Sequence, residues 1–541
     1  MILRAASCVS MAALCVFSIP LAQAQSGEGG QVPASREVQS ERRLDILNYQ
    51  VEGNTVLSRT QVEQAVMPYL GPQRPVSDVD AARQSLMDAY HAEGFETVNV
   101  IIPAQDVRGG IVRLQVVEMR VGRLRVAGAQ YHSPQDIRED IPALSEGEVP
   151  NYNDVSTQLA GLNRSRDRLV TPTLRAGTQP NTVDVDLLVE DELPLHGSIE
   201  INDRASSNTK RHKVSGSISY GNLFQRGHSL NLQGQFSPEK PEESWVVSAS
   251  YVVPLQTVPL TFVGYAVHTD SDVAAIGGIN VLGKGNIFGL RGIYSLVSGE
   301  PTSPRIHQFT FGIDYKDFEE NLFAEEGNPS RTPIDYFPLM VEYGQSKQTA
   351  RYEFSFGIGA AVGLRGLSSR DDEFGNKRYG ANANWSALRG NISYLHKLDN
   401  DWHLGGSLSG QYAGEPVISN EQFAIGGVDS VRGYYESFQI GDDGVAAQLQ
   451  VTTPSFAERL GEKVQDLRVY AFADGGYVRI HEPLSVQDES SELYSLGLGV
   501  KLRAFEGFNA QMSLARPFLN EQTTLRDVGD FRLQFRVWNE F

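Results

Sequence analysis

Cysteine is nearly absent from this chain of 541 residues: there are two, Cys8 and Cys15. Both lie in a segment that follows Arg4, runs largely apolar from Ala5 to Leu21 and ends in Ala22-Gln23-Ala24, the pattern of a secretory signal cut after Ala24. A transmembrane anchor fits less well, because Ser7, Ser10, Ser18 and Pro20 interrupt a run already short for a bilayer. The processed chain would be thiol-free, which excludes disulfides, cysteine-ligated zinc and cysteine nucleophiles. Beyond this segment no long apolar run appears, and the mean hydropathy is -0.28. Basic charge is in deficit: 47 Lys and Arg face 66 Asp and Glu, a net charge of -19. Nucleic acid is therefore not an expected partner, since binding it needs a basic face to displace counterions. The ten histidines include no pair at helical ligand spacing, and no G-x-S-x-G elbow is present. Gly283-Lys284-Gly285-Asn286 lacks the Ser or Thr that a phosphate loop carries after its lysine. No enzyme activity, metal or cofactor is expected.

What is present is alternation. From Phe531 to Phe541, the side chains of Phe531, Leu533, Phe535, Val537 and Phe541 fall on one side; Arg532, Gln534, Arg536 and Glu540 fall on the other. A period of two with oil opposite water, ending on an aromatic, predicts the closing strand of an outer-membrane barrel and its assembly signal. From about Leu193 helical patterns disappear, and alternating segments follow one another between Gly, Asn, Asp and Pro turns. Val214/Gly216/Ile218/Tyr220, Leu230/Leu232/Gly234/Phe236 and Phe309/Phe311/Ile313/Tyr315 are examples. The count is roughly sixteen, which allots about 22 residues to each strand with its connection. A soluble array of β-sandwiches would alternate too, but explains neither the secretory signal nor the terminal aromatic.

Upstream, two small units share the order β-α-α-β-β. The first has an extended run from Ile46 to Glu52, a capping box at Ser58 and Gln61, a second helix capped by Asp78 and stopped at Gly94, and strands at 97–103 and 111–118. The second has a strand at 123–127, helices from Ser133 and Asn153, and strands at 170–176 and 182–190. The expected division is a signal at 1–24, a leader at 25–43, α/β modules at 44–119 and 120–192, and a transmembrane barrel at 193–541.

Two local patterns stand out. Gly426-Gly427-Val428-Asp429-Ser430-Val431-Arg432-Gly433-Tyr434 lies in a long connection, about 415–443, between the eleventh and twelfth strands of the count. Long connections inside compact domains are commonly functional. Phe472-Ala473-Asp474-Gly475-Gly476 lies in the thirteenth strand, where Tyr470, Phe472, Asp474 and Gly476 share a face. A carboxylate facing lipid would be costly, so this face should turn inward, and Asp474 then wants a cation. Arg432, on a loop long enough to fold into the lumen, is the candidate. A desolvated pair loses about 3–5 kcal/mol when one member is removed, and a wet lumen should weaken that considerably.

On Val431, Arg432, Gly433 and Tyr434, and on Phe472, Asp474 and Gly476, the chain resembles the two-partner secretion transporters of the haemolysin secretion/activation class. Leu162-Asn163-Arg164 and Gly283-Lys284-Gly285 add to the likeness, which covers essentially the whole processed chain. The resemblance implies two polypeptide-transport-associated (POTRA) domains in the periplasm, then a 16-stranded antiparallel barrel in the outer membrane. It implies an inward-folded loop whose arginine meets the strand-thirteen motif, and export of an unfolded, large secreted partner protein without nucleotide. It also implies dealings with periplasmic chaperones, the barrel-assembly machinery and outer-membrane lipid. One departure is the stretch from Gln25 to Arg43, which begins Gly-rich, has no apolar stripe and argues against the plug helix of many relatives. Alternatives are a factor that inserts other barrels, whose POTRA arrays are usually longer, and a passive porin or receptor, which leaves the α/β modules without a purpose.

Overall fold

The computed structural model describes residues 43–541, apart from 108, 164, 208, 242–243, 256–257, 272, 277–278, 300–302, 320, 324–328, 368, 486 and 519–530. The expected signal and all but the last residue of the leader lie outside the described residues, as does Arg164. The chain divides at Leu193/Pro194 into two compact units.

The first unit holds two α/β modules in succession. The first contains β1 (Arg43–Ile46), β2 (Asn48–Glu52), α1 (Arg59–Val66), β3 (Gly71–Pro75), α2 (Ser77–Ala92), β4 (Asn99–Ile101) and β5 (Ile111–Val117). Its sheet order is β2-β5-β4, with β2 parallel and β4 antiparallel to the central strand. The second module contains β6 (Arg120–Ala127), α3 (Pro134–Glu139), α4 (Tyr152–Leu162), β7 (Arg168–Ala176) and β8 (Thr182–Asp191), ordered β6-β8-β7.

Local chemistry accounts for these elements. Ser58 and Gln61 form the expected reciprocal capping box at the start of α1. The alternating Val112, Leu114 and Val116 turn one face of β5 onto Leu86 and Tyr90 of α2, all of them buried. The same backbone device appears in both modules. Gly53 after β2 and Gly128 after β6 have φ of +87° and +97°, and a Cβ there would lie 2.4 and 2.2 Å from the carbonyl oxygens of Val116 and Val189. Only glycine allows that approach to the central strand.

Three expectations need correction. The run from Ile46 to Glu52 breaks at Leu47, because β1 turns away to pair with β3, a Gly-Pro-Gln-Arg-Pro segment with no alternation to mark it. Asp78 does not cap α2; it lies within the first turn, where its charge favours the helix N-terminus, and Val76 occupies the cap. The strand expected at 97–103 forms a ladder only over Asn99–Ile101.

Among the described residues of the second unit, sixteen antiparallel strands close into a barrel. Strand 1 is Leu195–Asn202; strand 7 is Arg305–Glu319; strand 8 is Pro338–Gln348, prolonged along strand 7 by Ile334–Tyr336. Strands 9, 10, 11, 12 and 13 are Tyr352–Gly363, Ser386–Lys397, His403–Tyr412, Asp443–Thr452 and Val464–Arg479. Strands 14, 15 and 16 are Ser490–Ala504, Phe508–Phe518 and Arg532–Glu540. Outward faces carry Leu449 and Leu498, each more than 60% exposed, while inward neighbours such as Ser513 and Gln534 are buried. Helical structure does not vanish beyond Leu193, as the alternation had implied: Asp371–Lys377 forms a short helix in the connection between strands 9 and 10, where Phe374 packs on Tyr336 and Trp385 belongs to the same buried cluster.

Closure joins strand 16 to strand 1, from Arg536 opposite Asn202 to Glu540 opposite Ser198. Phe541 extends the ladder, its N–H and carbonyl bonding to Gly197 at 3.0 and 2.9 Å. A Cβ on residue 197 would lie 2.4 Å from the Phe541 ring, so the terminal aromatic and a glycine in strand 1 fit each other.

Candidate functional site: a loop docked inside the barrel

The connection between strands 11 and 12 folds back against the inner wall. Phe423–Ile425 and Gln439–Gly441 pair as an antiparallel stem. Gly426 and Gly427, both at φ +101°, turn the chain at the end of the stem, and a Cβ on Gly426 would lie 2.6 Å from the carbonyl oxygen of Tyr435. Val431 and Tyr434 are fully buried with Ile425, Val478 and Leu493. The Tyr434 hydroxyl lies 2.9 Å from the carbonyl oxygen of Phe518 and 3.1 Å from that of Tyr494. Gly433, at φ +93°, donates its N–H to Gln534 at 2.9 Å, and a Cβ there would come 2.9 Å from the Ala515 methyl. Gly476 makes room in the wall for Val431, whose Cγ2 would lie 3.0 Å from any Cβ at that position.

Arg432 is held from every side. Asp474 Oδ2 accepts from its backbone N–H at 3.0 Å and from Nε at 2.7 Å, and Oδ1 accepts from Nη2 at 2.7 Å. Gln450 Oε1 takes Nη1 at 2.9 Å, and the guanidinium carbon stands 3.7 Å from the centre of the Phe472 ring. The side chains of Arg432 and Asp474 are 7% and 0% exposed. The pair expected from the sequence is in contact, and it is buried rather than open to the lumen. The pair is buried, with the Phe472 and Tyr470 rings of strand 13 against the guanidinium, so its bidentate, charge-assisted bonds act in a low dielectric.

Further attachments were not foreseen. Glu421, 2% exposed, accepts from Lys316 Nζ of strand 7 at 2.5 Å, from the Tyr336 hydroxyl at 2.7 Å and from Arg389 Nη2 of strand 10 at 2.9 Å. Two cations thus face one buried carboxylate, which offsets the cost of taking its charge out of water. Asp442, fully buried, binds both terminal nitrogens of Arg378 and accepts from the N–H groups of Val417 and His481. The loop tip also reaches both sides of the closing seam. Arg204, just beyond strand 1, bonds Asp429 and Glu436, while Arg532 of strand 16 lies 3.8 Å over the Tyr435 ring. These charged residues carry no periodic signal, so only the register of distant strands reveals their partners.

The remaining motif residues take structural places. Asn163 joins α4 to β7 through two bonds with the Val170 backbone, at 2.7 and 3.0 Å. Lys284 pairs with Asp270 at 3.0 Å. Phe531, Leu533 and Phe541 are exposed on the outer face, and Phe535 and Val537 are half-buried there. Beside the loop a cavity of about 780 Å³ remains in the lumen, with Gln233, Gln235, Asn391 and Ser409 among its lining residues. Among the described residues no group of His, Cys, Asp and Glu is arranged to hold a metal ion.

The model of the "Haemolysin secretion/activation protein ShlB/FhaC/HecB" family matches residues 181–502, and that of the "POTRA domain, ShlB-type" matches residues 44–118. The chain belongs to the ShlB/FhaC/HecB family. It is similar to the outer membrane transporter CdiB of Dickeya dadantii (strain 3937), 22% identical over 460 residues that cover 81% of this chain and 76% of the relative. It is also similar to the heme/hemopexin transporter protein HuxB of Haemophilus influenzae (strain 86-028NP), 18% identical over 521 residues, 91% of this chain and 87% of the relative. In fold it resembles CdiB from Escherichia coli, with a TM-score of 0.64 at 17% identity over 94% of this chain and 93% of that one. This member of the family is thus a two-partner secretion transporter, not an enzyme. Its barrel sits in the outer membrane, its POTRA region lies in the periplasm, and its partner is a secreted cargo protein. Strand 1 begins on the periplasmic side, so the connection between strands 11 and 12 enters the lumen from outside.

Proposed function

We propose that the transporter captures unfolded cargo as an added strand and controls its passage with the loop that carries Arg432. No other strand among the described residues pairs with the outer edge of β2. A groove of about 520 Å³ runs beside it, lined by Tyr49, Val51, Val62, Val66, Met67 and Leu70. An extended cargo segment would gain main-chain bonds along that edge and place alternate side chains in the apolar groove. The module at 120–192 repeats the same strand-and-glycine device and serves as a second POTRA domain. Residues 1–24 are removed as a signal, and periplasmic chaperones deliver the chain to the barrel-assembly machinery, which reads Phe541 and the outward aromatic and aliphatic residues before it.

The observation that carries the control element is the burial of Arg432 against Asp474, which gives the loop one defined docked state. An Arg432→Ala variant is expected to reach the outer membrane in normal amount and to export an order of magnitude less cargo, or none. Normal export by that variant would refute the role of the loop.

A further inference from the structure

Asp474 anchors the loop tip on strand 13, and the stem packs there too, through Ile425 beside Val478, but the segment that leads into the stem is held on other walls. Glu421 lies in a single turn, Ser419–Glu421, just before the stem, and its carboxylate is closed off from solvent by Lys316, Tyr336 and Arg389. Its backbone carbonyl is held as well, by Gln411 Nε2 of strand 11 at 2.9 Å and by Arg389 Nη2 at 3.3 Å. Strands 7 and 10 are six and three strands away from strand 13 around the barrel. The loop therefore has charged anchors on different walls of the lumen, Glu421 on strands 7 and 10 and Arg432 on strand 13. The cavity beside it is bounded by both, since Lys316, Arg389 and Glu421 line one part and Asp429 and Ser430 of the tip line another.

We propose that Glu421 is a positioning residue for the loop, a second anchor of the segment before the stem alongside Asp442, and that its release lets this segment swing away from strands 7 and 10 while stem and tip stay on strand 13. Two features favour such a division of labour. The two carboxylates share no partner, so either anchor can break alone. Stem and tip are further fixed by Ile425, Val431, Tyr434 and the Gly433–Gln534 bond, whereas Glu421 holds the segment before the stem against strands 7 and 10. Partial opening would then enlarge the existing cavity without the loss of the whole loop from the lumen.

The inference rests on the loop acting as the control element, and it is tested so that the two ideas fail separately. The full-length transporter, purified and inserted in planar bilayers, is compared as Glu421→Gln, Glu421→Asp and Asp474→Asn, with cargo export measured in parallel and barrel folding read from heat-modifiable gel mobility. Glu421→Gln is expected to raise ion conductance several-fold in a fully folded barrel. Glu421→Asp, which keeps the charge on a shorter arm, should restore part of the closure, a rescue that a purely space-filling role would not give. Combining Glu421→Gln with Asp474→Asn should raise conductance beyond either alone. Unchanged conductance and export in Glu421→Gln, with Asp474→Asn altered, would overturn the second anchor and leave the first intact. If Glu421→Gln does not fold, the doubly neutral Lys316→Gln/Glu421→Gln leaves no lone charge from that pair and takes its place. Failure of that variant to fold would also overturn the proposal, because Glu421 would then be a requirement of the barrel itself.

Discussion

The two units of this chain are built inside out with respect to each other. In the α/β unit the fully buried side chains include Leu86, Val112, Leu114 and Ile137, and the ion pair Arg59–Glu63 lies at the surface. In the barrel many large aliphatic residues, Leu449 and Leu498 among them, face outward, and the interior buries charged groups, Arg432, Asp474, Glu421 and Asp442, beside smaller apolar clusters. Apolar packing is non-directional and spread over many partners, so the POTRA modules can hold a rigid surface but have no single point of release. A buried ion pair has one geometry and few partners, and it is lost as a unit once either member is removed. The polar lumen is thus the part of the molecule where a discrete docked state can be built and undone.

The sharpest way to break this contrast is to unpair a charge. Asp474→Asn leaves the Arg432 guanidinium buried without its counterion, at a cost of about 3–5 kcal/mol to loop docking. Faster proteolytic cleavage within 413–442 of an otherwise intact barrel is the expected readout. Truncation in the apolar core tests the other side: Leu114→Ala should destabilise the α/β unit by about 2–5 kcal/mol, seen as a lower urea midpoint for residues 43–193. The inverted barrel should tolerate change by face rather than by type. Leu449→Arg places a cation among lipid-facing residues, costing up to about 4 kcal/mol at the bilayer midplane and less near an interface. Ser409→Arg, at a residue of the neighbouring strand 11 that lines the lumen cavity, should fold into the membrane more readily than Leu449→Arg. Equal folding yields for the two would contradict the assignment of faces.

The meeting of Arg432 with Asp474 could be read from residues because strand alternation leaves no other place for the carboxylate. Once Phe472 and Asp474 share a face, lipid is excluded for both, and a long glycine-bearing connection supplies the nearest arginine. Glu421 offered no such constraint. It lies in irregular backbone, where side chains have no period, and its partners at positions 316, 336 and 389 come together only through the register of strands 7, 8 and 10. The same limit hid β3, whose five residues carry two prolines and a glycine and belong to a pairing defined by β1 alone. Gly53 and Gly128 were visible as letters, but the carbonyl each one admits lies on a strand about sixty residues further on. Local chemistry was legible throughout; closure in space was legible only where one periodic face forced it.

The smallest expected effect concerns one of the few buried charges of the α/β unit. Asp191 ends β8 with its carboxylate enclosed: Oδ2 accepts the N–H groups of Gln130, Tyr131 and His132 at 2.7, 2.7 and 3.0 Å, and Oδ1 lies 2.6 Å from His132 Nδ1. Burial pushes its pKa up, but the His132 side chain and the three N–H groups outweigh burial and hold it below the ordinary carboxylate value. A carboxyl depressed in the folded state contributes its full stability above the unfolded-chain pKa of about 3.9, and loses it as pH falls through the folded value. Asp191→Asn should therefore lower the stability of residues 43–193 at pH 7 by ~1–3 kcal/mol, the range for hydrogen bonds to a charged group. Below about pH 4 the difference between the two proteins should begin to shrink, because the unfolded carboxyl takes up its proton first, and it should be lost as pH falls through the lower value of the folded one. Urea unfolding followed by circular dichroism at a series of pH values checks this. A difference that stays constant down to pH 2 would mean that the Asp191 carboxylate is a spectator and that the turn at 130–132 is held by packing alone.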